Sequence, residues 1–232
     1  VKEIERDLHE MGHVVTTKSM QDKVGDFTTK ELIPYNFMVT SSQGWTKLFE
    51  ALGYSDIECI NARAYVLRES QNRMHRISPD QNLNPGTSWE TRPEIWSKFL
   101  EADGKFSYTY PERIHQPNQI GRIDELVRKD PRSRHLIINI YEPSLDDYRR
   151  GGVRRVPCTM HYQLLIRDDA LYLIQVMRSL DLYTHLPIDL SVGLLMLDYF
   201  KERYKLTCQT RFVMQVASLH AYKTDLDKRG IF

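Results

Sequence analysis

From Leu190 to Tyr204 the chain carries a helical pattern that is apolar nearly all round over its first half. A helix without a polar face has to be covered on all sides, so this one predicts a buried helix with the other elements packed around it. Three strand-like runs flank it: Cys158 to Ile166, Leu171 to Met177 and Arg211 to Leu219. Asp168-Asp169 between the first two predicts a hairpin. Upstream, Val1 to Gly12, Gly44 to Gly53, Ser55 to Met74, Glu94 to Ala102 and Asn118 to Lys129 read as helices, and Thr28 to Ser42 and His135 to Tyr141 as strands. In Ser55 to Met74, Ile57, Ile60, Ala64 and Leu67 recur at helical spacing. His75 to Pro93, rich in Pro, Asn and Ser, reads as a long loop, and Asp146 to Arg155 as a polar Gly-Gly loop with several arginines. Helices and strands alternate without a regular βαβ repeat or any internal repeat. The expectation is a single α+β domain over 1–232, with one large mixed sheet covered by helices.

Charge narrows the partners. The formal net charge is +1 at pH 7, which argues against a protein that coats nucleic acid but leaves room for a small anion held by a local arginine cluster. No apolar run approaches the ~20 residues of a spanning helix, and Val1 onward is not a basic-then-apolar leader. The three cysteines, Cys59, Cys158 and Cys208, have no CxxC spacing. They predict reduced thiols in a cytoplasmic protein, with neither a disulfide framework nor a metal site.

One of those thiols is placed for chemistry. Cys158 follows Pro157 and the arginines 149, 150, 154 and 155, and cationic surroundings favour the nucleophilic thiolate. Read locally it is also compatible with a core cysteine at a strand start. Arg132, Arg134 and Arg178 stand at strand edges, where guanidinium forks suit phosphate oxygens or ordinary ion pairs. Asp181 and Asp189 flank a His-Leu-Pro turn. Either can accept hydrogen bonds from an amino group, and Asp189 can equally cap the helix that follows. His220 and Tyr222 share one face of a strand end.

Order and spacing of these residues resemble the thymidylate synthase superfamily. Asp130-Pro-Arg-Ser-Arg-His-Leu-Ile-Ile is similar to its phosphate-binding stretch, and Val156-Pro-Cys-Thr-Met-His-Tyr-Gln-Leu to its nucleophile motif. Met177-Arg-Ser-Leu-Asp-Leu-Tyr-Thr-His-Leu-Pro-Ile-Asp resembles the family's Arg-Ser-x-Asp-x-x-x-Gly-x-Pro-x-Asn, and Ser218-Leu-His-Ala-Tyr its sugar-binding strand. Tyr108-Thr-Tyr-Pro, Asn118-Gln-Ile and Ile95-Trp96 are weaker likenesses. Departures stand at His135 (usually Arg), Thr159 (commonly His) and His185 (usually Gly).

The resemblance implies a one-carbon transferase with Cys158 adding to C6 of a pyrimidine nucleotide, and 5,10-methylenetetrahydrofolate as co-substrate, with Trp96 on the folate. Asp181 is placed with the catalytic residues. Arg132, Arg134 and Arg178 would hold the phosphate together with Lys23, in Asp22-Lys-Val-Gly. Gln163 and Ser179 would line the nucleotide, and His220 and Tyr222 would bind the 3′-hydroxyl. Two of the family's phosphate arginines come from the partner subunit, which implies a homodimer built on a sheet face. The acid–base carboxylate is assigned to Glu69, in Tyr65-Val-Leu-Arg-Glu, with Glu58 as the fallback. Asp189, where thymidylate synthases carry Asn, points to cytosine and thus to a CMP or dCMP 5-hydroxymethylase. A thymidylate synthase, a dUMP hydroxymethylase and a non-catalytic nucleotide-binding relative are the alternatives. The family's folate-closing C-terminal tail is expected to be shortened, missing or replaced after Tyr222.

Overall fold

The computed structural model describes residues 1–20, 23–40, 44–75, 96–146 and 155–230, less the side chains of 19, 20, 23–26 and 98. In chain order the elements are α1 (Lys2–Met11), β1 (His13–Met20), β2 (Lys23–Leu32), β3 (Tyr35–Val39), α2 (Leu48–Ala51) and α3 (Asp56–Met74). Then come α4 (Tyr110–His115), α5 (Gln119–Lys129), β4 (Ile137–Asn139), α6 (Pro143–Asp146), β5 (Thr159–Ile166), β6 (Ala170–Met177) and β7 (Leu180–Asp181). The last are α7 (Leu186–Arg203), β8 (Gln209–Val216), β9 (Leu219–Tyr222) and α8 (Lys223–Asp227).

The apolar helix is α7, and it begins before Leu190, with Pro187 in its first turn. Proline suits that position because the first N–H groups of a helix have no partner within it. Leu194, Met196, Leu197 and Phe200 are buried, as are residues on the other sides of its first half. Its approach to the sheet is set by Gly193: a Cβ there would lie 2.1 Å from Phe212 Cζ on β8.

The expected single sheet is divided in two, with strand orders β1-β2-β9-β7 and β3-β8-β6-β5-β4. The division has one cause repeated three times. Adjacent strands break at the same level, β2/β3 at Ile33-Pro34, β6/β7 at Arg178-Ser179 and β8/β9 at Ala217-Ser218. Pro34 has no N–H to continue a ladder. Backbone bonds still bridge the break, from Ala217 N to Met177 O and from Leu180 N to Ser218 O, both 2.9 Å. The hairpin at Asp168-Asp169 is as expected, β5 pairing with β6 antiparallel.

A bulge at Met160 shifts the β5–β6 register between Thr159 and His161. Met160 O accepts from both Ile140 N and Tyr141 N at 3.0 Å. Thr159 and Tyr162 are three residues apart and would point to opposite faces of a regular strand; the bulge puts both on the helix side, where both are buried. The other face of the five-stranded sheet carries half-buried Leu165, Ile174, Val176 and Val213 with exposed Met38 and Ile137.

Elsewhere the sequence reading is refined. Helix α3 forms over the expected span, but Ile57, Ile60 and Leu67 are exposed and the opposite side is buried, including Tyr65, Val66, Glu69 and Arg73. Thr28 to Ser42 holds parts of two strands, and β1 was not anticipated. The loops expected at His75 to Pro93 and Asp146 to Arg155 lie almost wholly outside the described residues, as does the start of the helix expected at Glu94. Among the described residues, no helix is long and apolar enough to cross a membrane.

Because the Gly193–Phe212 approach leaves no room for a methyl group, Gly193→Ala should destabilise the fold by about 1–3 kcal/mol. Denaturant melts would show a lower midpoint with an unchanged slope.

Candidate active site

The break in the sheet gathers the residues singled out above. Cys158, half-buried, directly precedes β5. Its carbonyl accepts from Arg178 N at 2.9 Å across the start of the break. The Arg178 guanidinium folds back along the same segment, donating from Nε to Pro157 O at 3.0 Å and from Nη2 to Val156 O at 2.7 Å. These bonds leave Nη2 3.8 Å and Ser179 Oγ 3.6 Å from Cys158 Sγ. A cation and a hydroxyl donor thus flank this sulfur. Cys59 is buried in the core and donates to Tyr54 O at 3.7 Å.

Parallel pairing of β7 with β9 sets Asp181 opposite His220. Asp181 is buried, and its Oδ1 accepts from Tyr183 N at 3.0 Å and Thr184 N at 3.4 Å, so it shapes the turn into α7. Burial alone would raise its pKa. The opposing pull of His185, whose Nδ1 is 3.8 Å from Oδ2, and of His220 holds it below the usual carboxylate range. Burial depresses the His220 imidazole, and the Tyr222 ring packs edge-on against it at 5.5 Å. Burial also drives the Tyr222 hydroxyl far up, with Asp181 and Cys158 adding to the shift.

Helix α3 closes the site from the other side. Glu69 and Arg73 are one turn apart, 7% and 4% exposed. Arg73 Nε donates to Glu69 Oε1 at 2.8 Å and Nη1 to Tyr162 Oη at 2.8 Å, while its Cζ lies 4.5 Å from the Tyr110 ring centre. The Tyr110 hydroxyl accepts from Thr159 N at 3.1 Å. Thr159 Oγ1 accepts from Gln175 Nε2 at 2.8 Å. Burial, with Cys158 next among the causes, pushes the Tyr110 hydroxyl well up. Sequence reasoning missed Arg73, Tyr110 as a site residue, and Tyr162. Only the i, i+4 spacing of Arg73 from Glu69 hinted at the pair. Glu58 is not in the site: it accepts from Ser55 N at 2.8 Å in an exposed capping box at the start of α3.

Asp189 lies in the first turn of α7 and does not cap it, since the helix starts three residues earlier. It is 8% exposed. Among the described residues it has neither a hydrogen bond from its side chain nor an ion pair. Burial raises its pKa against the pull of Arg73 and His185, and Glu69 raises it further. Trp96 stacks on Tyr65 at 5.7 Å and 15°, and meets His185 edge-on at 5.7 Å. Its Nε1 is buried without a partner among the described residues. An aromatic wall with an unused N–H fits a flat heteroaromatic ligand such as a pterin.

Other expected site residues lie elsewhere. Gln163 is on the opposite sheet face to Tyr162, and donates to Arg134 O at 2.8 Å. It therefore braces the arginine stretch and does not line the Cys158 site within this chain. Arg132 is exposed and ion-paired with Asp168 at the β5–β6 hairpin. Arg134 is exposed. At ~3.3 Å per strand residue, this stretch is roughly 15–25 Å along β5 from Cys158. Lys23 opens β2, and its side chain lies outside the described residues. Among the described residues, no group of three or more His, Cys, Asp or Glu side chains is placed to hold a metal ion.

The structure is thus a mixed α+β chain that presents a thiol beside an arginine at a break in its sheet. The chain belongs to the thymidylate synthase family: the family model described as thymidylate synthase matches residues 78–230. It is 28% identical over 199 residues to a protein of Methanococcoides burtonii named "Putative thymidylate synthase", covering 82% of this chain and 89% of that one. A Methanosarcina barkeri protein of the same name is 30% identical over 149 residues, covering 61% of this chain and 66% of that one. The fold is that of the thermostable thymidylate synthase A of Bacillus subtilis, with a TM-score of 0.67 at 15% identity over 99% of this chain and 81% of that one. The family is one of one-carbon transferases that take methylenetetrahydrofolate as co-substrate and bind a nucleoside monophosphate.

Asp189 gives a stability prediction. A carboxyl whose folded pKa is raised is favourable to folding below its unfolded value, about 3.9, and loses that contribution as pH rises through the folded value. Asp189→Asn replaces this buried carboxyl with an amide that does not ionise. The variant should melt higher than the parent at pH 7, and the gap should close as pH falls towards 4.

Proposed function

We propose that this chain is a cytidylate 5-hydroxymethylase, a cytoplasmic enzyme acting on CMP or dCMP. The observation that carries the choice of base is Asp189, a buried carboxyl with no hydrogen-bond partner among the described residues, at the position where the family's thymidylate synthases carry Asn. A carboxylate complements the 4-amino group of cytosine. Against uracil O4 it leaves two acceptors facing each other, a mismatch that a closed site rejects strongly.

Methylenetetrahydrofolate supplies the one-carbon unit, and Trp96, stacked on Tyr65, is the residue proposed to hold it, with Asp181 among the catalytic residues. Cys158 Sγ adds to C6, which makes C5 nucleophilic, and C5 bonds to the transferred methylene. The C5 proton leaves through the Glu69 side of the site, and tetrahydrofolate departs with the electrons of its bond to the methylene. Water adds to the resulting exocyclic methylene as Cys158 is expelled from C6. The sum is nucleotide plus methylenetetrahydrofolate plus water giving hydroxymethyl nucleotide plus tetrahydrofolate. Splitting the substitution into addition and elimination lowers each barrier. Arg178 and Ser179 flank the sulfur and serve the phosphate, while His220 and Tyr222 serve the sugar.

A second reading, thymidylate synthase, is favoured by the names of the archaeal relatives. Incubation with each nucleotide and methylenetetrahydrofolate, read by mass spectrometry, separates the two. The proposal expects dCMP or CMP to gain one CH2O unit; methylation of dUMP with no product from cytidylates would overturn it. Cys158→Ala should abolish turnover.

The Arg132–Arg134 stretch is too far along β5 to serve its own chain's Cys158, which supports a homodimer joined through the sheet face of Ile174, Val176 and Val213, with these arginines serving the partner's site. Cys158→Ala and Arg134→Ala are each expected to be inactive. Mixed and allowed to exchange subunits they should regain activity, because one site per heterodimer then keeps both groups. No recovery in a verified heterodimer would refute the shared site.

A further inference from the structure

The reaction as written makes no use of Arg73, the most completely enclosed charge in the site. Its described contacts reach three elements: Glu69 within α3, Tyr162 on β5, and the ring of Tyr110 at the head of α4. Tyr162 is 0% exposed, and the Met160 bulge is what brings it to the same side as Thr159. Tyr110 in turn accepts the N–H of Thr159, the residue next to Cys158. One guanidinium therefore links the carboxylate on the helix to the strand that carries the thiol. Two buried carboxyls, Glu69 and Asp189, stand near this cation, yet only Glu69 is ion-paired with it.

We propose that Arg73 is the positioning residue of this site, fixing the Glu69 carboxylate against the Cys158 strand and leaving the Asp189 carboxyl without a hydrogen bond, open to the base. The inference rests on Glu69 being the acid–base group proposed above. The titratable and charged groups around Glu69 are Tyr65 and Arg73 on α3, Tyr110 on α4, Tyr162 on β5, and Asp189 on α7 with His185 preceding that helix. A fork with two separate anchors, one on Nε and one on Nη1, suits arginine and not lysine, whose ammonium is a point charge.

A kinetic cycle on the full-length chain tests this, combining Arg73→Lys with Glu69→Gln. Arg73→Lys keeps a cation but loses the fork. Displacing a reacting group by about 1 Å costs up to ~100-fold, so kcat should fall by at least ~10-fold with the nucleotide KM within about threefold of the parent. In the Glu69→Gln background the same change should cost less than about twofold, because groups acting as a unit are not additive. Tyr162→Phe removes only the far anchor; it should lower kcat in the same direction and move the acid limb of the pH profile to higher pH. If the Arg73 effect is the same in both backgrounds, or appears in KM alone, the proposal is wrong. Should Arg73→Lys fail to fold, Tyr162→Phe in the two backgrounds reads the same cycle. If the parent turns over dUMP and not cytidylates, the choice of base falls while the cycle is read on dUMP. If it turns over neither, both readings fall.

Discussion

Three strand pairs breaking at one level organise this molecule. Had β6 run straight into β7, Arg178 and Ser179 would be ordinary ladder residues with side chains on alternate faces. The break lets the Arg178 side chain turn back onto Pro157 O and Val156 O, which brings it to Cys158 Sγ. The same break starts β9 afresh at Leu219, so that His220 pairs with Asp181. Thiol, cation, carboxylate and the His220–Tyr222 strand are thus gathered at one break in the sheet, with the apolar helix α7 packed closely on β8.

The buried Arg73–Glu69 pair works against stability considered by itself. Taking two charges out of water costs several kcal/mol per ion, and a well-packed apolar replacement is often as stable or more so. Removing one partner is a different matter, at ~3–5 kcal/mol, a large share of the ~5–15 kcal/mol that holds a typical domain folded. Arg73 offsets the cost with a hydrogen bond to Tyr162 and the face of Tyr110. Asp189 has no such compensation among the described residues, and burial raises its pKa accordingly. An uncompensated carboxyl beside a compensated one is how a site gives two acids different work.

Much of the fold was legible in the sequence, and so were the residues that form one run with their neighbours. The α7 helix, the β5–β6 hairpin and helix α3 follow from apolar periodicity and turn chemistry. Cys158, Arg178, Asp181 and His220 follow from motifs whose order survives wide divergence. The apolar positions Ile57, Ile60 and Leu67 marked the helix but are exposed on it. Periodicity identifies a helix without saying which face is buried when the inward face carries a site, and here that face is Tyr65, Glu69 and Arg73. Gln163 misled for a related reason: a motif position fixes the residue, but strand alternation after a bulge decides the face.

The sequence by itself pointed to the family, and with it to one-carbon transfer, because the cysteine, its flanking proline and the arginine motif are local features with fixed spacing. It determined too that position 189 holds a carboxyl and not an amide. Tertiary structure alone decided which glutamate is buried beside Arg73, sending Glu58 to an exposed helix cap and Glu69 inward, since that depends on which side of α3 meets β5. Tertiary structure also recruited Arg73, Tyr110 and Tyr162, residues far apart in the chain whose only connection is one guanidinium enclosed among them. Cys158 needed both: spacing in the chain marked it, and the bend in the sheet put Arg178 and Ser179 beside its sulfur.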